Sequence, residues 1–272
     1  MDDWRIKVKE SLEQFRYTVL MHVNSYSFIK KHKIWKGFWE YGWVGRILLG
    51  LAIIAGLKFL SVFFIWLDDA QGQNPLMAMT TMPNMLIDAV QAEYEFFFAS
   101  GMKYVMVIIL EIVIFHASRA TVRIKTGIEE DPSFNNFMKA QIRMIKVSFR
   151  SYIMEIITVS LLGVVFGWFS FIGFLEPVLV FGVQCFYLGF AVLDNYHEQF
   201  DIKINDSVKL TRKFIGVAIA AGLILQIFFA IPFVGPLLGP FISAVAVSLV
   251  LIEISDLHLR KKGTVVDAKE LV

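Results

Sequence analysis

Two charged side chains interrupt long apolar runs and are the first candidates for chemistry. Lys58 lies within the run of residues 47–67, and Glu111 lies within the run of residues 102–116. A charge that is left unpaired in lipid is energetically costly, so a residue of this kind is a candidate for function. Three interpretations remain open: a structural ion pair or snorkelling lysine, the lining of a solute path, and a contact between subunits of an oligomer.

A second set of candidates forms a regular pattern of positive charge. Its members recur at i, i+4, i+7 and i+11, which places them on one face of a helix: Lys139, Arg143, Lys146 and Arg150. Apolar residues surround this set, as is typical of a basic amphipathic helix that is attracted to an anionic inner leaflet. The alternative is that this face gathers anions at a cytoplasmic vestibule.

The sequence holds no recognisable catalytic or metal-binding motif. It contains no G-x-S-x-G, no H-E-x-x-H, no Walker sequence and no Cys/His pairs at metal-binding spacing. Four methionines between residues 77 and 85 have no Cys or His beside them, so we expect them to fill apolar gaps rather than bind Cu(I). We therefore predict that the protein is not an enzyme and uses no metal and no cofactor.

The overall composition indicates the surroundings in which these residues are held. Of the 272 residues, 57% are hydrophobic and only 18% are charged. Soluble domains carry about 25% charged residues, so this excess of apolar side chains needs lipid around it. The sequence predicts an all-α integral membrane protein with two full transmembrane helices and two helical hairpins that partly cross.

The apolar runs define the predicted elements. Two runs are long enough to cross the hydrocarbon, and aromatic residues of the interfacial kind precede the first. The predicted membrane domain covers residues 43–254, with spanning helices at 43–67 and 96–118, an outer loop at 68–95, a basic cytoplasmic helix at 132–150, and hairpins at 151–193 and 214–254. An amphipathic interfacial segment (1–42) precedes this domain, and a cytoplasmic tail (255–272) follows it.

The turns of the two hairpins are unusually apolar. Residues 231–240 contain no charged or hydrogen-bonding side chain, whereas a turn in water is normally polar. We expect the tips to stay inside the membrane, covered by protein or facing a water-filled cavity, although two complete spanning hairpins would give the same sidedness. The predicted tip residues are Pro177, Pro232, Gly235, Pro236, Gly239 and Pro240.

The placement of Lys and Arg predicts the orientation. These residues occur before residue 42, between residues 119 and 150, between the hairpins and in the tail, but none occurs from residue 68 to residue 101. Positive residues mark the cytoplasmic side of a membrane protein. Both termini are therefore predicted to be cytoplasmic, with only residues 68–101 outside.

The second half of the chain resembles a known family. Residues 189–194 (GFAVLD), 207–216 (SVKLTRKFIG) and 231–240 (IPFVGPLLGP) follow one another as in the CysZ-type sulfate permeases and the related etoposide-induced membrane proteins. The resemblance is strongest over residues 180–258. It implies two long spanning helices, two partly crossing hairpins, assembly into homo-oligomers and entry of sulfate for cysteine synthesis.

The segment before the first spanning helix departs from that family. The Gly-Leu-Arg anion-binding motif of that family is replaced here by KHKIWKGF at residues 31–38, in which lysines keep the positive charge. A lysine offers a point charge without the planar bidentate fork of arginine. The candidate residues for anion binding or an anion path are Lys33, Lys36, Lys58, Glu111, Arg119 and Arg123.

The expected function is a permease or channel for a small inorganic anion, sulfate or a related oxyanion, in the bacterial inner membrane. The expected partners are that anion, membrane lipid and further copies of the chain, with no nucleic acid. The alternative is a membrane scaffold or interaction protein that transports nothing, which the content of 26 Phe and 6 Trp favours.

Overall fold

The computed structural model describes residues 3–39, 101–128, 133–231 and 234–261, together with isolated positions between residues 40 and 100. Every regular element in these ranges is a helix. The predicted spanning helix at 43–67 and the outer loop at 68–95 fall outside the continuous described ranges, and Lys58 and Pro232 are not described.

Nine α-helices and two short 3-10 segments make up the described ranges. The α-helices are α1 (Asp3–His32), α2 (Met102–Ile109), α3 (Glu111–Thr126), α4 (Phe134–Trp168), α5 (Glu176–Glu198), α6 (Ile204–Lys213), α7 (Ile215–Phe229), α8 (Gly235–Ile254) and α9 (Leu257–Lys261). The 3-10 segments are Ile34–Trp39 and Ser170–Leu175.

Three helical stretches of the described chain are long and apolar enough to cross a membrane. They are Phe134–Trp168, Phe171–Glu198 and Gly235–Ile254, and the number rises to five if each of two bent helix pairs counts as one span. At about 1.5 Å per residue, the 20 residues of α8 cover about 30 Å, the thickness of the hydrocarbon. The prediction of an all-helical protein with membrane-spanning helices is confirmed at this level.

The second predicted spanning helix, at 96–118, takes a different form. Its described part is divided into α2 and α3, which meet at Leu110 and are bent by 58°. The break is local, because Leu110 still donates its N–H to the carbonyl of Met106 and accepts a bond from the N–H of Ile114. The bend places Glu111 at the first position of α3, inside the bundle.

The basic helix and the first hairpin arm form one element. The sequence places a boundary between residues 150 and 151, but α4 runs without interruption from Phe134 to Trp168. No Gly or Pro occurs between residues 134 and 162, so nothing in this stretch stops a helix. The basic residues and the apolar arm therefore share one axis.

The second hairpin has a shorter turn than its composition predicts. Helix α8 begins at Gly235, so four of the predicted tip residues lie within the helix: Gly235, Pro236, Gly239 and Pro240. A proline is tolerated in the first helical turn because the amide hydrogens there have no intrahelical partner. The arms of this hairpin, α7 and α8, contain 15 and 20 residues.

Helices α5 and α7 approach each other very closely at two glycines. A Cβ atom on Gly189 would lie 1.8 Å from the carbonyl oxygen of Ala218, and one on Gly222 would lie 1.8 Å from that of Cys185. Small residues allow helix backbones to meet in this way and are enriched at contacts between membrane helices. This contact holds α5, which carries much of the candidate site, against the core.

Helix α1 packs along α7 and α8 with a polar face inward. Thr18, His22 and Ser25 are buried, and each satisfies a hydrogen bond on its own helix. The apolar side chains of Trp4 and Leu12 are exposed instead. The face that the sequence predicts to meet lipid is thus left uncovered by the rest of the described chain.

Candidate functional site

A buried ion pair joins α2 to the middle of α4. The Nζ atom of Lys103 lies 2.7 Å from Oε1 of Glu155, and the hydroxyl of Tyr104 donates to Oε2 at 2.6 Å. The lysine is only 1% exposed. Both carboxylate oxygens are therefore satisfied, which is the condition under which a buried pair is tolerated.

The backbone before α2 explains how this pair comes together. Gly101 has a φ of 69°, in the left-handed region that glycine adopts without strain. A Cβ atom at this position would lie 2.7 Å from the ring of Tyr152, one turn before Glu155 on α4. The glycine lets the chain enter α2 directly against α4, so that Lys103 and Tyr104 face the carboxylate.

A second buried pair joins α4 to α5. The guanidinium of Arg143 donates to Asp194 through Nε (2.7 Å) and Nη2 (2.9 Å). This parallel, bidentate geometry is among the strongest that charged side chains form. Glu198, one turn further along α5, approaches the same Nε at 3.9 Å. Arg143 thus has one close carboxylate partner and a second within reach.

Glu111 lies beside this pair with its side chain completely buried. Its Oε2 accepts a hydrogen bond of 3.1 Å from the side-chain amide of Asn195, the residue next to Asp194. Within the described ranges, neither Oε1 of Glu111 nor Oδ1 of Asn195 has a hydrogen-bond partner. Buried polar atoms of this kind call for an explanation, such as an ion, a water molecule or a functional role.

The carboxylates in this region outnumber the cations that face them. Glu111 lies within electrostatic range of one cation, Arg143, and of two further carboxylates, Asp194 and Glu198. His197 is also fully buried, and its Nδ1 lies 2.8 Å from the hydroxyl of Ser207 at the start of α6. The junction of α3, α4 and α5 is therefore a polar, acid-rich region in an otherwise apolar bundle.

Outside the spanning helices, the clearest perturbed group is on α1. Burial lowers the pKa of His22 to about 4, although its hydrogen bond to the carbonyl of Thr18 opposes this shift. The imidazole is therefore neutral at physiological pH. The face of α1 that packs on the hairpin carries no charge at this position.

The residues predicted for an anion path do not form one cluster. Lys33 and Lys36 are exposed; Lys33 precedes and Lys36 belongs to the 3-10 segment Ile34–Trp39, which packs against α3. On α3, Arg123 is exposed, whereas Arg119 is half-buried with its guanidinium 5.3 Å from the ring centroid of Phe115. Glu111 is buried in the acid-rich region instead, and Lys58 is outside the described residues.

The four basic residues on one face of α4 do not share the same surroundings. Arg143 points to α5, and Arg150 donates to the side chain of Asn205 at 2.6 Å. Lys139 and Lys146 are exposed. The four residues share a face as predicted, but that face is partly covered by α5 and α6.

Sequence reasoning missed both buried ion pairs. Lys103 and Glu155 also lie in apolar runs, so the criterion that selected Glu111 applies to them equally. An acidic residue at the end of an apolar run usually solvates the chain or caps a helix, but the side chain of Asp194 is buried against Arg143. The reason is that α5 continues to Glu198, which places Asp194 on an internal turn.

The hairpin tips differ in exposure. The first ends in aromatic residues that stand free of the described chain: Trp168, Phe171 and Phe174, of which Trp168 is 81% exposed. Pro177, in the first turn of α5, is exposed as well. At the second tip, Gly235, Pro236, Gly239 and Pro240 are buried. Among the described residues, the first tip exposes large aromatic side chains, whereas the second exposes the aliphatic side chains of Ile231, Val234 and Leu238.

The described residues contain no group of three or more His, Cys, Asp or Glu placed to hold a metal ion. Comparison of the chain with protein-family models, with curated proteins and with solved structures finds no match. The described part of the chain is thus an all-helical protein with apolar helices that suit a membrane and with buried charges between them.

Proposed function

We propose that the protein is a permease or channel for a small inorganic anion, sulfate or a related oxyanion, in the bacterial inner membrane. The observation that carries the proposal is the buried Lys103–Glu155 pair, whose carboxylate lies in the apolar part of α4, a helix long enough to span; the second buried pair, Arg143–Asp194, lies nearer the start of the same helix. Ionisable groups inside spanning segments are costly and typically mark ion pathways.

The way in which the buried cations are paired is compatible with binding and release of an oxyanion. A guanidinium binds a tetrahedral oxyanion in the same bidentate way as it binds a carboxylate. An anion that reaches Arg143 can replace Asp194, while Glu198 at 3.9 Å competes for the freed cation and promotes release. Conduction needs binding that is strong enough for entry and weak enough for exit.

The cations at the ends of the helices favour an anion, rather than a cation, as the transported ion. Lys33, Lys36, Arg119 and Arg123 would attract it toward the cytoplasmic end of α3, and the resemblance to CysZ-type permeases favours the same substrate class. Glu111 stays a candidate beside this path as a counter-charge to Arg143, because a carboxylate repels the anion and does not bind it. Lys58 stays a candidate on sequence grounds.

A non-transporting scaffold is the second candidate. It is favoured by the aromatic tip of the first hairpin, where Phe171 and Phe174 are largely exposed. Aromatic side chains of this kind anchor proteins in lipid and form contacts between proteins. We assign this surface to lipid and to contacts between protomers of a homo-oligomer whose termini are cytoplasmic.

The test is uptake of radiolabelled sulfate into liposomes that contain the purified protein, beside empty liposomes, with chloride and phosphate as competitors. We expect saturable, protein-dependent uptake. Arg143→Lys, which keeps the charge but loses the bidentate geometry, should reduce the rate, whereas Lys146→Gln, an exposed change on the same helix, should not. Absence of flux for every anion from folded, oligomeric protein would overturn the proposal in favour of the scaffold.

A further inference from the structure

A basic cavity lies where α4 and α6 meet. Its volume is about 530 Å³, and it opens to the surface. Four of the lining residues are cationic: Arg150, Lys203, Lys209 and Arg212. The carboxylate in its lining is Asp206, which pairs with Lys209 at 3.3 Å. A surplus of positive charge therefore faces the interior of the cavity.

Arg150 and Arg212 also line a smaller pocket behind this cavity. The inner pocket has a volume of about 60 Å³ and continues between α4 and α5. Met154, Phe186 and Phe190 give it an apolar wall. The two arginines thus stand at the boundary between a polar outer space and an apolar inner one.

A buried hydroxyl points to a ligand in the inner pocket. Ser151 lines this pocket and is only 1% exposed, yet its Oγ has no hydrogen-bond partner within the described ranges. Buried hydroxyls are normally hydrogen-bonded, so an unsatisfied donor in a cavity wall marks a place for an acceptor. Arg150 and Arg212 line the same space.

The position of the cavity along α4 matches the level of lipid headgroups. Arg150 is the last cation of α4, and the helix beyond it exposes apolar side chains, among them Ile153, Ile156 and Ile157. If α4 spans the membrane, these residues face acyl chains and Arg150 lies at the interface. Basic pockets between helices on the cytoplasmic side are where phosphate headgroups bind.

We propose that this cavity is a binding site for a phosphate-type oxyanion, held by Arg150, Arg212 and Ser151, and that the oxyanion is the headgroup of an anionic phospholipid. The arginines supply bidentate charge-assisted hydrogen bonds and Ser151 supplies a neutral one. Lys203 and Lys209 attract the headgroup at the outer rim. The apolar wall of the inner pocket accommodates the start of an acyl chain, which a free ion lacks.

The site is separate from the buried pairs on which the proposed function depends. Neither Arg143 nor Lys103 lines the cavity or the inner pocket. The proposed lipid site can therefore be tested independently of anion transport.

The experiment is native mass spectrometry of the full chain in detergent with phosphatidylglycerol or phosphatidylcholine added, together with calorimetric titration of inorganic phosphate. We expect phosphatidylglycerol to be retained preferentially. The double variant Arg150→Gln/Arg212→Gln should lose about a hundredfold or more of that affinity, the scale of two charged hydrogen bonds. The control Lys139→Gln/Lys146→Gln, which removes the same charge from exposed positions on α4, should bind as the wild type does.

Ser151→Ala keeps the proposal testable even if the double variant fails to fold. Removal of the unsatisfied hydroxyl should leave the unfolding temperature unchanged or higher while it weakens retention of phosphatidylglycerol severalfold. Phosphate binding that depends on the same arginines without lipid preference would keep the oxyanion site and assign it to a free ion. Equal retention of both lipids without phosphate binding, or equal loss in the control variant, would overturn the proposal.

Discussion

Arg143 and Asp194 lie 51 positions apart in the sequence and are joined by two parallel hydrogen bonds that link α4 to α5. The side chain of Asp194 is almost completely buried in this contact. The pair therefore fixes the register of the two longest apolar helices at the level of the acid-rich region. Because the pair is charged and enclosed, its removal can be tested both for stability and for transport.

Asp194→Asn should destabilise the protein strongly. The change leaves Arg143 enclosed without its full counter-charge, and loss of one partner of a buried pair costs about 3–5 kcal/mol. The measurement is thermal unfolding of purified protein in detergent. Asp206→Asn is the matched control, because Asp206 lies in a partly exposed pair with Lys209 and its loss should cost less than about 1 kcal/mol. Equal shifts in the two variants would contradict a structural role for the Arg143–Asp194 pair.

Gly189→Ala should disrupt the contact between α5 and α7. The added Cβ atom would lie 1.8 Å from the carbonyl oxygen of Ala218, so the two backbones must separate. Gly182→Ala is the control on the same helix, since a Cβ atom there meets nothing within 4 Å. Alanine is the better helix former by about 1 kcal/mol, so this control should unfold at the same temperature or slightly higher. A Gly189→Ala variant as stable as Gly182→Ala would show that the helices do not pack in this way.

The sequence identifies the class of fold because apolar runs and their lengths are local properties. It does not reveal which charges meet, since Lys103 and Glu155 are 52 positions apart and their pairing depends on how α2 enters against α4. Glu111 is a charge within an apolar run and is buried in the structure, but its surroundings, Asp194 and Asn195, come from another helix.

The ends of helices are also hard to predict from the sequence. One helix ends without a breaker residue, and another contains breaker residues. The bend at Leu110 has no Gly or Pro near it in the sequence to announce it, so it depends on tertiary packing. Conversely, Pro236 and Pro240 predict a turn, but the structure places both within α8: Pro236 in the first turn, where a missing amide hydrogen costs little, and Pro240 inside the helix, where one intrahelical hydrogen bond is lost. Breaker residues mark the start of a helix here rather than a loop.

Acidification should loosen the attachment of α1 through His22. Its pKa is about 4 in the folded protein and about 6.5 when unfolded, so the unfolded chain binds the proton more readily. Stability is therefore fully present above about pH 6.5, falls as the pH drops toward 4, and loses up to about 3 kcal/mol from this group. His22→Gln, which cannot titrate, should flatten this part of the dependence of unfolding temperature on pH. Identical pH profiles for the two proteins would exclude His22 as the cause.

Variants of the Lys103–Glu155 pair can distinguish a structural role from a role in transport. Lys103→Met and Glu155→Leu should each cost about 3–5 kcal/mol, because each leaves a buried charge without its partner. The double variant should recover part of that loss, since an apolar pair replaces an ion pair at little cost, although the buried hydroxyl of Tyr104 loses its acceptor. If the pair lies on the anion path, the recovered double variant should still fail to take up sulfate into liposomes. Full sulfate uptake by a stable double variant would show that this pair only holds α2 against α4, and would leave Arg143 as the buried cation to test.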